Sequence, residues 1–242
     1  MATDADGVRQ LAGSAVTLDE LDGRSSVCRA CPRLVAWREQ VAEVKRASYA
    51  EQTYWGRPVT GWGPHDARIA VVGLAPAAHG GNRTGRIFTG DRSGDWLFAA
   101  LHRAGLATQP SSTSAYDGQE LVGTRITLPV RCAPPANHPT PAERDACAPW
   151  LAAEWRLLAP TVRAVVVLGG WGWSALWPVL RAAGVAVPSR RPTFSHGAEV
   201  ALADGLTVLG CFHVSQQNTF TGRLTEPMLD AVLARAKAVA GC

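Results

Sequence analysis

The sequence predicts an α/β fold: a single domain built on a central, mostly parallel, four-stranded sheet that is flanked by helices. Short runs rich in Val, Ile and Leu alternate with longer segments in which apolar residues recur at helical spacing. The apolar runs are continuous, which is typical of parallel strands covered on both faces. A repeated strand–helix order favours a sheet with helices on both sides.

The start of the chain has a weaker pattern than the rest. Residues 1–24 show no clear periodicity, and we expect a loosely ordered N-terminal segment before a single domain over residues 25–242. The ordered part is predicted to begin at Cys28 and to continue as a helix over residues 34–47, because the apolar residues there have helical spacing.

Four apolar runs predict the strands, which cover residues 67–74, 124–130, 162–168 and 206–211. Helices are predicted after them, over residues 91–104, 140–158, 171–182 and 227–239. The second of these helices opens with Thr140 and Glu143 in a capping box and with Pro141 at its first position. Residues 193–202 suggest an irregular strand or hairpin.

The overall composition is typical of a globular protein, with 47% hydrophobic and 18% charged residues. No apolar run approaches the ~20 residues that span a bilayer, so no membrane partner is expected. Residues 1–7 contain two aspartates and no basic region, unlike a secretory signal. We therefore expect a cytoplasmic, nucleoid-associated protein.

The charge is mildly basic, with a formal net charge of +4. This is compatible with a polyanionic partner without requiring one. Among the basic residues only Lys45 and Lys237 are lysines. Arginine forms forked contacts to phosphate that lysine does not form, although a GC-rich genome would produce the same bias.

Four cysteines form a candidate metal site, because Cys28 and Cys31 are a close pair and Cys132 and Cys147 follow as two distant partners. Four thiolates suit either tetrahedral zinc or an iron–sulfur cluster, and the spacing does not separate the two. The alternative is that the cysteines are core residues or chance neighbours. Cys211 lies in an apolar run and is predicted to be a core residue.

Two loops that follow apolar strands echo each other, over residues 77–91 and 213–225. The first is rich in glycine, and glycine-rich loops expose backbone N–H groups that bind anions. It is not a P-loop and lacks the GxGxxG spacing. The second offers a histidine followed by Ser, Gln and Asn side chains. Ligands of open α/β sheets bind at the carboxyl ends of the strands, so the loops predict a polar cleft there.

Individual residues in these loops each allow two interpretations. Phe88 either meets a planar ligand or packs under its loop, and Asp91 either takes part in chemistry or caps the next helix. His213 is either a hydrogen-bond donor to an anion or a structural histidine. Asn137 either reads the edge of a pyrimidine or is a turn residue before Pro139.

Taken together, four segments resemble the uracil-DNA glycosylase superfamily and are most similar to its family 5, also called type b. The segments are residues 73–86, 88–91, 130–137 and 213–218. The resemblance extends from Cys28 to about Thr225, and it implies the uracil-DNA glycosylase-like fold. It also implies a [4Fe–4S] cluster, rather than zinc, held by Cys28, Cys31, Cys132 and Cys147.

The resemblance also implies catalytic roles. Phe88 would stack on a flipped uracil, Asn137 would hydrogen-bond the edge of the base, and His213 would stabilise negative charge at the uracil O2. Asp91 would position water or stabilise the sugar cation. Residues 75–78 have no Asp or Asn where other families keep a water-activating side chain, which fits a looser pocket that also accepts hypoxanthine and ethenocytosine.

The remaining expectations concern substrate and partners. Further substrate-binding residues are predicted at Ala75, His79, Gly80, Arg86, Ser215 and Asn218. Phosphate contacts are predicted for Arg83, Arg86 and Arg223, with Phe220 as a wedge in the DNA groove. The expected partner is double- or single-stranded DNA with uracil or deaminated bases, and the expected state is a monomer.

Three classes of function remain open. No lysine lies in a candidate motif, so a monofunctional glycosylase that leaves an intact abasic site is expected for base excision repair. The second class is a damage-binding module with the same fold and weak or absent turnover. The third, a zinc-stabilised α/β hydrolase, is disfavoured because the chain lacks a Gly-x-Ser-x-Gly elbow.

Overall fold

The computed structural model describes residues 1–242 and shows one five-stranded sheet. The strands are β1 (Ile69–Val72), β2 (Thr124–Thr127), β3 (Ala164–Leu168), β4 (Glu199–Ala201) and β5 (Thr207–Cys211). Their order across the sheet is β2-β1-β3-β5-β4. The first three neighbouring pairs are parallel, in registers such as Val71 to Ile126, Val71 to Val166 and Val166 to Leu209.

The predicted α/β fold class and the four parallel strands are confirmed, but the predicted strand count is one too low. The fifth strand, β4, pairs antiparallel with β5 and forms an edge of the sheet. It falls in the stretch predicted as an irregular strand or hairpin. Because β4 has only three residues and two of them are exposed, it lacks the apolar run of a buried strand.

Nine helices surround the sheet. They are α1 (Ala5–Gly13), α2 (Leu18–Ser25), α3 (Pro32–Val44), α4 (Gly81–Thr84), α5 (Arg92–Arg103), α6 (Pro141–Leu158), α7 (Gly170–Ala182), α8 (Gln216–Phe220) and α9 (Glu226–Ala240). Short 3-10 turns lie at Ala47–Tyr49 and Pro135–Asn137. The predicted capping box is present at the start of α6. None of the helices is long and apolar enough to cross a membrane.

The sheet is covered on both faces, because alternate residues of β1 are buried in two different hydrophobic cores. Ile69 and Val71 face a core that contains residues of α5 and α9, whereas Ala70 and Val72 face a core that contains residues of α1, α6 and α7. Both cores share the one sheet, so the chain folds as a single domain. Burial of both faces accounts for the continuous Val and Ile runs in the sequence.

The prediction of a loosely ordered N-terminal segment is wrong. Helices α1 and α2 pack on α6, and they bury Val8, Ala12, Leu18 and Leu21 in the second core. The Asp4 side chain caps α1 by accepting a hydrogen bond from the Gly7 N–H at 2.8 Å. Helices this short are marginal alone and depend on tertiary packing, which explains why the local pattern did not reveal them.

A buried ion network joins the N-terminal helices to the sheet. The Glu154 carboxylate on α6 is fully buried and accepts hydrogen bonds from Arg125 at 2.7 Å and from Arg131 at 2.6 Å. Arg125 on β2 also donates to Asp22 of α2 at 2.8 Å. Removing one partner would leave a buried charge unpaired, so the network fixes α2 and α6 relative to β2.

Candidate active site

A cleft of about 700 Å³ lies at the carboxyl ends of the parallel strands. Its walls come from the segments that follow β1, β2, β3 and β5. From β1 the chain first adds β2 on one side of the sheet and then crosses to add β3 on the other side. Open α/β sheets bind ligands at such a switch point, which here lies between β1 and β3. The volume falls within the range of about 300–1,000 Å³ found for small-molecule pockets.

The cleft brings together most of the predicted site residues. The predicted residues that line it are Ala75, Phe88, Asp91, Asn137, His213, Ser215 and Asn218. They come from three loops that are far apart in the sequence. The ring centroids of Phe88 and His213 lie 6.2 Å apart, so a planar molecule in the cleft would contact both rings.

Phe88 is held in an unusual backbone conformation. Its φ of +52° lies in the left-handed region, which is rare for a bulky residue. Two glycines make room for it: a Cβ on Gly73 would lie 3.1 Å from the Phe88 ring, and a Cβ on Gly94 would lie 1.9 Å from the Phe88 carbonyl oxygen. Strain of this kind is concentrated at functional sites, and here it places the ring in the cleft wall.

Asp91 serves both as a helix cap and as a cleft residue. One carboxylate oxygen, Oδ1, accepts a hydrogen bond from the Gly94 N–H at 2.9 Å at the start of α5. The other, Oδ2, lies against Gly80, where a Cβ would approach it to 1.9 Å. Burial raises the pKa of Asp91 above its usual value, opposed by the N–H groups of Gly94 and Ser93. Asp91 is the only carboxylate that lines the cleft.

His213 directly follows β5 and its imidazole is desolvated. Burial lowers its pKa from 6.5 to about 4, so the ring is neutral at physiological pH and one ring nitrogen carries a donor proton. The Asn218 side chain donates a hydrogen bond to the His213 carbonyl at 2.8 Å. Asn218 therefore fixes the backbone that carries the imidazole, in addition to lining the cleft.

Asn137 lies at the exposed rim of the cleft. It ends the 3-10 turn that follows Pro134, and both Ala136 and Asn137 have positive φ, at +52° and +59°. Asn tolerates this conformation better than most residues. Its amide has no protein hydrogen-bond partner that would occupy it, and it remains accessible from the cleft.

Two predicted phosphate contacts are wrong, because Arg83 and Arg86 are buried and satisfied inside the protein. Arg83 donates to the carbonyl oxygens of His79 at 2.7 Å and Gly90 at 2.8 Å. Arg86 donates to the Asp117 carboxylate at 2.6 Å and lies 4.4 Å from the centre of the Trp62 ring. Both arginines hold loops in place. Arg86 is not among the residues that line the substrate cleft.

His79 and Gly80 also lie outside the cleft lining. The His79 ring is hydrogen-bonded through Nδ1 to the Tyr54 hydroxyl at 3.0 Å. Gly80 packs against Asp91, as described above, and so shapes the site from behind. Their predicted substrate contacts are therefore replaced by structural contacts that position the loop between β1 and α5.

Several lining residues escaped the sequence analysis. Gly169 and Trp171 follow β3, and a Cβ on Gly169, whose φ is +90°, would lie 3.2 Å from the His213 Cβ. Phe194 and Phe212 supply aromatic walls. The Gly-Gly pair after an apolar strand is a sequence signal of close approach, whereas nothing local marks Phe194.

The four predicted metal ligands lie around a second, mostly apolar cavity, whose volume is about 20 Å³. Cys28, Cys31, Cys132 and Cys147 all line it. Burial raises the pKa of Cys31 to about 11 and that of Cys132 to about 12, so the thiolates would need nearby metal cations for stabilisation. No three His, Cys, Asp or Glu side chains are arranged to hold a single metal ion.

Comparison with known proteins places this architecture in a family. A sequence model of the uracil DNA glycosylase superfamily matches residues 60–237, which is well over half of the chain. The chain therefore belongs to the uracil-DNA glycosylase superfamily.

Its relatives narrow the comparison to one branch. The chain is 59% identical over 231 residues to the type-5 uracil-DNA glycosylase of Mycobacterium leprae, which covers 96% of this chain and 99% of that protein. It is 50% identical over 216 residues to the type-5 enzyme of Thermus thermophilus, covering 89% and 95%. The type-5 enzyme of Pyrobaculum aerophilum is 48% identical over 224 residues, covering 93% and 94%. The predicted resemblance to family 5 is confirmed.

Proposed function

We propose that this chain is a monofunctional DNA glycosylase, which flips uracil out of DNA and hydrolyses its N-glycosidic bond to leave an abasic site for base excision repair. One observation carries the proposal. A single cleft contains an aromatic wall at Phe88, a neutral donor at His213, an accessible amide at Asn137 and a lone carboxylate at Asp91.

Base binding follows from the shape of the cleft. A base inside a duplex cannot reach such a site, so it must be flipped out at a cost of a few kcal/mol, about 1–3 of which a stacking aromatic can return. The Phe88 ring offers the stacking surface, and Asn137 can both donate to and accept from the edge of a pyrimidine. The fixed backbone of both residues means that they need little reorganisation when the base arrives.

Departure of the base requires stabilisation of negative charge. When the glycosidic bond breaks, the electron pair of the bond leaves with the base and the sugar gains cationic character. A neutral His213 can donate a hydrogen bond to the uracil O2 as this charge develops. The burial that lowers the pKa of His213 also strengthens that hydrogen bond.

Asp91 takes the remaining role, on the sugar side of the reaction. With no other carboxylate in the cleft, Asp91 is the group that stabilises the sugar cation and orients the attacking water. The absence of a lysine from the cleft lining supports a water nucleophile rather than a Schiff base. The alanines at residues 75–78 leave that part of the wall small, which supports acceptance of hypoxanthine and ethenocytosine as well as uracil.

The DNA backbone would contact Arg223, as first predicted, and Arg92, in place of the buried Arg83 and Arg86. Arg92 and Arg223 both line the cleft and are exposed. The Arg223 guanidinium lies 4.7 Å from the centre of the Phe212 ring, which orients it at the mouth. Phe220 is 70% exposed at the end of α8, where it could enter the groove of double-stranded DNA or stack on a single strand. A single chain provides the whole cleft, which supports a monomer.

Cys28, Cys31, Cys132 and Cys147 would hold a [4Fe–4S] cluster, because all four thiols line one cavity and four thiolates are the ligand set of such a cluster. When bound, the cluster supplies a structural cross-link between the segment before α3, the segment after β2 and helix α6. Cys132 lies five residues before Asn137, so its ligation would anchor the rim of the cleft.

A damage-binding module without turnover is the alternative, because Asp91 also caps a helix. Substitution of Asp91 by Asn separates the two functions, since Asn retains a capping oxygen but loses the charge. We expect Asp91→Asn to fold normally and to slow single-turnover excision from U·G, U·A and single-stranded oligonucleotides by about 10²–10⁴-fold.

Asp95→Asn is the matched control, because Asp95 is exposed on the same helix and outside the cleft lining; it should leave the rate unchanged. The product should be cut only after alkali treatment, as expected of an intact abasic site. Absence of excision by the wild-type protein on every substrate would favour the binding module.

A further inference from the structure

Arg38, in the middle of α3, is a buried cation without a proper counter-ion. Its side chain is 2% exposed. Its Nη1 donates to the Cys132 Sγ at 2.9 Å, and its Nη2 donates to the Cys28 carbonyl oxygen at 3.0 Å. The nearest carboxylate, Glu39, is 4.0 Å away and is already bound by Arg29.

Such an arrangement is costly unless an anion is present. Buried charges in proteins are paired or lie beside metal centres, because an isolated ion in the interior loses its hydration. A protonated Cys132 thiol is a weak acceptor and carries no charge. Four thiolates outweigh the positive charge of a [4Fe–4S] core, so the ligated cluster is an anion.

Buried hydrogen-bond donors without a partner also indicate an acceptor near the cysteines. The Arg38 Nε is buried and has no protein partner. Trp150 is 1% exposed and lines the cysteine cavity, and its Nε1 also lacks a partner. Buried donors are rarely left unsatisfied in native proteins. Trp150 lines the cavity, and Arg38 contacts its lining residue Cys132, so these donors favour a group that accepts hydrogen bonds there.

We propose that Arg38 is the counter-ion of the iron–sulfur cluster and a hydrogen-bond donor to its Cys132 ligand, and that it retains the cluster and sets its reduction potential. The proposal rests on the cluster assigned above. Hydrogen bonds to ligand sulfur and nearby charge are known means of tuning such clusters. Arg38 is a positioning residue and touches no DNA.

Helix α3 also connects this site to the cleft. The Asn82 side chain donates to the Arg38 carbonyl at 3.1 Å, and the Asn82 N–H donates to the Ala77 carbonyl at 3.0 Å. Ala77 lines the cleft. Because this link uses the backbone of Arg38, a side-chain substitution at Arg38 leaves it intact and tests the guanidinium alone.

The test compares Arg38→Met with Arg33→Met, which removes the other arginine of the same helix. Arg33 is 44% exposed and bound to Glu143. Both variants are reconstituted with iron and sulfide, and iron release to a chelator is followed by the loss of absorbance near 400 nm. We expect Arg38→Met to release iron about 10–100-fold faster than the wild type, and Arg33→Met to match the wild type.

Two further readouts separate charge from packing. Removal of the cation should shift the reduction potential of the cluster to a more negative value, because the reduced cluster carries more negative charge. In the cluster-free protein the substitution should be stabilising instead. Arg38→Met should raise the midpoint of urea unfolding there, because the buried cation that faces neutral thiols has been removed. Arg38→Lys keeps the charge, so the reduction potential of its cluster should stay close to that of the wild type. This variant also provides the test if Arg38→Met does not take up the cluster.

The outcomes are distinguishable. Equal iron release and equal potential in Arg38→Met and Arg33→Met would overturn the role of Arg38 and leave the cluster standing. A wild-type protein that binds no iron after reconstitution would overturn the cluster, and the proposal for Arg38 with it.

Discussion

At the scale of single residues, the protonation state of His213 decides how it can act. Burial lowers its pKa to about 4, so the imidazole is uncharged throughout the physiological range. A charged imidazolium would bind an anion more strongly, but holding that charge in a desolvated site would itself be costly. The structure therefore favours a neutral donor aimed at a charge that appears only as the bond breaks.

We expect His213→Ala to slow single-turnover excision on a U·G duplex by about 10²–10³-fold, the loss usually seen when one anion-stabilising donor is removed. Because the wild-type imidazole stays neutral, the ratio of the wild-type rate to the His213→Ala rate should be constant between about pH 5 and 8. Rapid-quench rates across that range provide the measurement. A ratio that falls as the pH rises through the ordinary histidine pKa would show a charged imidazole instead.

Other residue roles were visible in the sequence only in part. The positions of Phe88, Asp91 and His213 in the cleft could be predicted because each follows an apolar strand or precedes a helix. The roles of Arg83 and Arg86 could not, because an arginine in a polar loop looks the same whether it faces DNA or a buried carbonyl. Their burial depends on Gly90 and Asp117, contacts that only the folded chain defines.

At the scale of elements, two turns in the segment after β1 contact each other. The turn at Gly80 that begins α4 and the cap at Asp91 that begins α5 are in contact. No side chain other than hydrogen fits at Gly80 while the Asp91 carboxylate keeps its place. This contact is the structural reason for a glycine there, and it replaces the direct substrate contact predicted from the sequence.

Gly80→Ala tests that contact. The added methyl group would displace the Asp91 carboxylate, and we expect a loss of excision rate on the order of 100-fold, as displacements near 1 Å can cause. Circular dichroism should show an intact fold. Gly13→Ala serves as the control, since a Cβ there meets nothing within 4 Å. Full activity in Gly80→Ala would mean that the Asp91 carboxylate is not needed where the structure places it.

The boundaries of regular elements illustrate what local pattern can predict. The parallel strands and α6, with its capping box, were predicted within a few residues, because continuous apolar runs and caps are local signals. Helices α1 and α2 were missed as elements, and strand β4 was predicted only as part of an irregular strand or hairpin, because each is short and is stabilised by its neighbours. Their apolar residues become informative only once the sheet and α6 are in place.

At the scale of the whole molecule, the site depends on the order of strands. Polar loops after two strands, and Asn137 after a third, could be recognised in the sequence, but their convergence required the order β2-β1-β3-β5-β4. That order is set by long-range packing on two cores, which no local pattern encodes. The same applies to the cysteines, which are far apart in the sequence and line one cavity only in the folded chain.

The geometry of the cleft predicts one arrangement of protein and substrate. The most direct measurement is a crystal structure of the Asp91→Asn variant bound to a duplex with a U·G mismatch. We expect an extruded uracil between Phe88 and His213, with its edge on Asn137 and the DNA backbone on Arg92 and Arg223. A uracil that remained stacked in the duplex, or that bound away from these side chains, would contradict the account.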